Sequence, residues 1–157
     1  HGRVSGPCPH SHPEPQDAAH VQHALDAARA RCEAAGENWT EPRRRTYALL
    51  VSAGKPVKAY DLIQQFGAGV RATKPPTVYR SLDLLMGIGL VRKVVTLGAY
   101  VACPKATDCA AGLLVCSCCH AVEHLPDARP AAIAGAPQDC LIEQVVLEAS
   151  GLCPLCR

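Results

Sequence analysis

The sequence predicts an α+β chain in two unequal parts, an N-terminal winged helix-turn-helix and a small C-terminal α/β dimerisation domain stapled by zinc. Three observations predict it. Helical patterns between residues 17 and 87 lead into a β-hairpin pattern that ends at residue 102. The charge then changes sign: residues 1–102 carry 13 Lys+Arg against 8 Asp+Glu, and residues 103–157 carry 3 against 6. Finally, the 157 residues include ten cysteines, and two C-x-x-C pairs, Cys116/Cys119 and Cys153/Cys156, fall in the second part. Two such pairs supply the four thiolates of a closed tetrahedral Zn²⁺ site.

This length suits one domain or two small ones. Aromatic residues make up only 4% of the chain, so the core must be built from Leu, Val, Ile and Ala. No apolar run approaches the ~20 residues that cross a bilayer, and the first residues lack the apolar segment of an export signal. A soluble cytoplasmic protein with no membrane partner is therefore expected. A secreted disulfide framework is the competing use of so many cysteines. The missing export signal and the crowding of thiols into one half favour metal.

Residues 1–16 read as a disordered leader in which Cys8, His10 and His12 are weak metal candidates. Asp17 caps a first helix whose apolar stripe is Val21, Leu25 and Ala28, with Cys32 as a buried thiol and Gly36 as its stop. Thr40 and Pro42 open a second helix, which ends at Gly54-Lys55-Pro56. Its Arg43-Arg44-Arg45 run fans around the helix, and both a solvated face and phosphate contact remain open. Ala59 to Phe66 is a third helix, closed by Gly67. Lys74-Pro75-Pro76-Thr77 opens a fourth, with Val78, Leu82 and Leu85 on its buried side. Residues 90–95 and 99–102 form a hairpin around Thr96-Leu97-Gly98.

A basic helical half closed by a hairpin describes a winged helix-turn-helix, whose later helix enters the major groove of double-stranded DNA. The candidate DNA-binding residues are Tyr60, Lys74, Thr77, Tyr79 and Arg80. Arg80 suits bidentate contact with guanine, and Lys74 suits phosphate. Tyr60 or Tyr79 suits phosphate or a thymine methyl. Residues 103–111 read as a hinge containing Cys103 and Cys109. Residues 112–157 hold strands at 113–116 and 121–125, a short helix from Asp127 to Ile133, a strand over 140–147 and the terminal cysteine knuckle. So thin a unit needs a zinc staple and a second copy of itself.

Several motifs then run in register: Lys58-Ala59-Tyr60-Asp61-Leu62, Lys74-Pro75-Pro76-Thr77-Val78-Tyr79-Arg80-Ser81-Leu82-Asp83, Gly89-Leu90-Val91-Arg92-Lys93-Val94, Tyr100-Val101-Ala102-Cys103, Leu114-Val115-Cys116-Ser117-Cys118-Cys119 and Glu148-Ala149-Ser150-Gly151-Leu152-Cys153. On these, over about residues 20–156, the chain resembles the Fur family of bacterial metalloregulators, and within it the zinc-sensing branch. The resemblance implies a homodimeric repressor, not an enzyme. Zinc at the hinge would activate it to bind AT-rich palindromic operators of zinc uptake genes.

The resemblance also implies two Zn²⁺ per subunit. Cys116, Cys119, Cys153 and Cys156 would hold the structural one, the same four that spacing selects. Cys103, Cys109 and His124 would hold the regulatory one. Arg92 stands where the family can supply a further histidine, which leaves the fourth ligand open among Glu123, His120, a leader histidine and water. Cys118 has no place in the pattern. A hydrolytic zinc enzyme is the reading from another class. It lacks an H-E-x-x-H base and leaves the Pro-Thr-Val-Tyr-Arg helix unexplained. A sibling regulator sensing peroxide, Fe²⁺ or Mn²⁺ is disfavoured by the scarcity of His and Asp at the hinge.

Overall fold

The computed structural model describes residues 16–67, 74–103, 112–125, 135–143 and 145–157. The first part holds α1 (Ala18–Ala34), α2 (Glu41–Ala53), β1 (Val57–Lys58), α3 (Ala59–Gly67), α4 (Pro75–Gly87), β2 (Val91–Val94) and β3 (Ala99–Ala102). The second holds β4 (Gly112–Cys116), β5 (Val122–Leu125) and β6 (Glu148–Gly151). The expected leader up to residue 15, the loop before Lys74, the hinge beyond Cys103 and the helix expected at 127–133 lie outside the described residues.

Local chemistry starts and stops the helices. Asp17 is extended, and its carboxylate accepts from the His20 N–H at 2.7 Å, a cap that contributes ~1 kcal/mol. Thr40 has the cap backbone without a side-chain cap bond, and Pro42 in the first turn fixes the entry to α2. Gly54 ends α2 in the left-handed region at φ +60°. Pro75 and Pro76 open α4, which buries Val78, Ser81, Leu82 and Leu85 at i, i+3, i+4 and i+7.

Those side chains meet Tyr47 and Leu50 of α2, Leu62 and Phe66 of α3, and Leu90 and Tyr100 of the wing in one apolar core. Trp39 packs edge-on against Tyr47, with ring centroids 6.3 Å apart. Leu82 is fully buried there, so Leu82→Ala should lower stability by about 2–5 kcal/mol through lost burial and the cavity left behind. Calorimetry of the full chain would show this as a fall in Tm of the transition that includes the helical core.

The arginine run is accounted for within this part of the chain. Arg43 donates to the Asn38 carbonyl and lies 3.8 Å from Glu37. Arg44 pairs with Glu41 at 2.6 Å. Arg45 lies over the Phe66 ring, 4.8 Å from its centroid, and donates to the Gln65 carbonyl at 3.3 Å. The wing is a three-stranded antiparallel sheet in the order β1-β3-β2. The sequence reading did not anticipate β1, because two residues are too short to show alternation. Arg31 ties α1 to the wing, donating to the Gly89 carbonyl at 2.7 Å and to the Cys103 carbonyl at 3.4 Å. Gly89 has φ +77°, and a Cβ there would lie 3.4 Å from the Arg31 guanidinium.

The second sheet has the order β5-β4-β6, with β5 antiparallel and β6 parallel to β4. The strand expected over 140–147 is not observed: its described residues are irregular, and the strand lies at Glu148–Gly151 instead. The reason is ladder geometry. Both edges of β4 are taken, one by β5 and the other by β6 and the Leu147 carbonyl just before it, and the side chains of Leu141, Ile142, Val145, Val146 and Leu147 remain exposed. The two sheets pack through Val94, Leu97 and Val101 against Leu113, Val115 and Val122. Among the described residues, no helix is long and apolar enough to cross a membrane.

Candidate metal centre and nucleic-acid interface

Cys116 is the last residue of β4 and Cys119 lies in the turn after it, and the Cys153 and Cys156 thiols come from the turn after β6. Parallel pairing of those strands, with Cys116 opposite Gly151, brings the turns together. Each turn is closed by a backbone bond, His120 N–H to the Cys116 carbonyl at 2.9 Å and Cys156 N–H to the Cys153 carbonyl at 2.9 Å. Ser117 N–H joins one turn to the other through the Gly151 carbonyl at 2.8 Å. His120, at φ +62°, supplies the left-handed residue of the first turn.

All four sulfurs lie within 4.8 Å of one another, and those of Cys119 and Cys153 are 3.7 Å apart. A tetrahedron of sulfurs at about 2.3 Å from zinc has edges of roughly 3.8 Å, so the cluster is the right size for the ion. Backbone donors also suit thiolates: Cys153 N–H points at the Cys116 sulfur at 3.4 Å and Ala121 N–H at the Cys119 sulfur at 3.5 Å. Burial pushes the Cys116 thiol up, but the N–H groups around it outweigh burial and hold it at about 6. Burial, with the Cys116 and Cys153 thiols, pushes Cys119 up against the lowering effect of the Ala121 N–H and the Cys156 thiol. Cys118, beside them, is exposed and is not one of the four.

The structure brings fewer of the hinge candidates together. Cys103 is fully buried at the end of β3, and its sulfur is in a disulfide. Cys109 lies outside the described residues. His124, opposite Leu113 on β5, has a buried Nδ1 with no hydrogen-bond partner among the described residues. A buried unpaired imidazole nitrogen is costly, and a metal ion is one partner that would relieve it. Glu123 sits opposite Leu114, one residue along the strand, and so projects from the other face of the sheet. It cannot share a site with His124. Arg92 donates to the Leu147 carbonyl at 3.5 Å, bridging the wing to β6.

The candidate DNA-binding side chains lie at the surface. Lys74, Tyr79 and Arg80 are exposed around the N-terminal end of α4, Thr77 is half-buried, and Tyr60 on α3 is 68% exposed. Residues the sequence reading passed over lie between the two sheets. Glu148 accepts from the Val95 N–H at 2.6 Å, the Thr96 N–H at 2.9 Å and the Thr96 hydroxyl. Burial raises its carboxyl, but these bonds and the Arg92 charge outweigh that and hold it below the ordinary carboxylate range.

No protein-family model matches the chain. It is 31% identical over 146 residues to the zinc uptake regulation protein of Escherichia coli K12, covering 87% of this chain and 82% of that protein. The chain belongs to the Fur family, in its zinc uptake regulator branch. Solved zinc uptake regulators share the fold. One complexed with zinc and DNA superposes with a TM-score of 0.72 at 28% identity, covering 87% of this chain and 94% of that one. Holo XcZur gives 0.66 at 31% identity over 84% and 95% of the two chains. Apo XcZur gives 0.52 at 36% identity over 88% and 98%.

Proposed function

We propose that the protein is a homodimeric, zinc-responsive repressor that binds AT-rich palindromic operators of zinc uptake genes and is activated by zinc at the hinge. The observation that most supports this is the likeness, at TM-score 0.72, to a regulator holding both zinc and DNA. The Cys116, Cys119, Cys153 and Cys156 sulfurs would hold the structural ion, and Cys103, Cys109 and His124 the regulatory one. Bound Zn²⁺ supplies a strong tie between thiolates and imidazole without redox chemistry of its own.

The chain's own residues convert that tie into a DNA response. Cys103 directly follows β3 of the wing sheet, and His124 lies on β5 of the C-terminal sheet. Ligands drawn from both sheets to one ion would restrict their relative motion. A disulfide sulfur offers no thiolate, so Cys103 must be reduced before it can take part. The exposed apolar side chains of Leu141, Ile142, Val145, Val146 and Leu147 are a surface that a second copy would bury, which sets two α4 helices side by side for a palindrome. A coupling of roughly 1–3 kcal/mol between zinc and DNA is enough to switch occupancy.

Titration of the reduced chain, carrying its cysteine-held zinc, into a labelled AT-rich palindrome, with and without added zinc, tests the reading. Zinc should raise affinity by about 5- to 150-fold, and binding should weaken steeply with salt. Equal affinity in both conditions would overturn it. In the same assay Arg80→Ala should cost about 1–3 kcal/mol and relax preference at one base pair. Lys74→Ala should weaken all sequences alike and lower the salt slope by about 1.

A further inference from the structure

The wing turn and the start of β6 are joined by hydrogen bonds that neither the metal sites nor the DNA face uses. The Val95 and Thr96 amides, at the tip of the β2–β3 hairpin, converge on the two oxygens of Glu148, Val95 on Oε1 at 2.6 Å and Thr96 on Oε2 at 2.9 Å. The Thr96 hydroxyl adds a third donor to Oε2. Arg92, from the strand that leads into the turn, donates to the Leu147 carbonyl one residue earlier. Charge-assisted bonds of this kind are about twice as strong as neutral ones.

The position of Glu148 gives these bonds their meaning. Glu148 and His124 both stand opposite Leu113, one on each side of it, so the three form a single row across β6, β4 and β5. Cross-strand partners share a face, and Leu113 in this row packs against the wing through Val94, Leu97 and Val101. One row thus carries the apolar contact in the middle, His124 at one end and the carboxylate grip on the wing tip at the other. Two points of attachment on either side of an apolar contact oppose rotation of one sheet on the other, which a single point does not.

We propose that Glu148 is a positioning residue, an interdomain latch that holds the wing in the orientation zinc selects at the other end of the same row. The latch rests on the zinc-responsive reading for its purpose but not for its existence. Glu148 touches neither metal nor DNA in this role. It acts by making the wing sheet and the C-terminal sheet turn as one body, so that restraint at His124 reaches the tip of the wing and, through the wing, α4.

Glu148→Gln is the sharpest variant because it keeps the volume and breaks the pattern. Each carboxylate oxygen faces a backbone N–H, and an amide must turn its own NH₂ toward one of them. The experiment uses the full-length reduced chain. Amide hydrogen exchange at Val95 and Thr96 should speed up by about tenfold or more, the scale of one lost charge-assisted hydrogen bond. Zinc-stimulated binding to the palindrome should fall by a similar factor, while zinc-free binding, dimer mass and zinc content stay as in the wild type. Thr96→Ala added to Glu148→Gln should cost little more than Glu148→Gln alone, because both break one network.

Unchanged exchange at Val95 and Thr96, or unchanged zinc stimulation, overturns the latch, as does strict additivity of the two substitutions. Should the wild-type chain itself bind DNA equally with and without zinc, the regulator reading fails. The exchange rates alone then decide whether the latch exists.

Discussion

Cys156→Ser is expected to dissolve the C-terminal half of the protein rather than to tune it. β4, β5 and β6 are five, four and four residues long, and the fully buried side chains among them are few, Leu113 and Val115 chief among them. So small a sheet lacks the burial to hold itself. Four thiolates on Zn²⁺ contribute about 10–16 kcal/mol in small zinc domains, all of it folding free energy. Replacing one thiolate by a hydroxyl removes most of that. Metal analysis should show loss of the most tightly held zinc, and light scattering should show the dimer mass falling toward that of a single chain. Chelation of the wild-type protein should follow the same course. A folded, dimeric Cys156→Ser protein with full zinc content would exclude a structural role for the cluster.

How much of this could be read from the sequence follows from the range of each signal. The four helices and the hairpin were legible because their cues are local: Asp17, Thr40-Glu41-Pro42, Gly54 and Lys74-Pro75-Pro76 each act within one turn. The cysteine quartet was legible because C-x-x-C spacing puts each pair on one turn, and chemistry demands two pairs. The strand expected at 140–147 failed because apolar content in that stretch reports burial, not pairing. In the single chain the parallel partner of β4 is the less apolar Glu148-Ala149-Ser150-Gly151. The contacts of Glu148 and Arg31 were not legible for a different reason. Their partners, Thr96 and Gly89, lie 52 and 58 residues away, and a lone charged residue in a sequence says nothing about what it will face.

The same row of side chains that carries Glu148 gives the second large effect, and its sign separates a ligand from an ordinary core residue. His124 Nδ1 is buried and has no hydrogen-bond partner among the described residues, an arrangement that costs about 1–3 kcal/mol of desolvation until a partner is bound. His124→Leu removes the unsatisfied nitrogen and keeps most of the volume. With the cysteine-held zinc in place and the hinge site empty, the variant should therefore melt at a higher temperature than the wild type, although a half-buried side chain has been replaced. With zinc present the order should reverse. The wild type gains stability in proportion to the logarithm of zinc over its dissociation constant, and the variant gains none from the hinge site. Operator binding should then lose its zinc stimulation entirely while the dimer and the cysteine-held zinc persist. A core histidine satisfied by its surroundings predicts the opposite pattern: His124→Leu would leave zinc stimulation intact, and the zinc-dependent shift in Tm would match the wild type. The two melting curves, taken on protein that keeps its cysteine-held zinc, with and without added zinc, decide between them before any DNA is added.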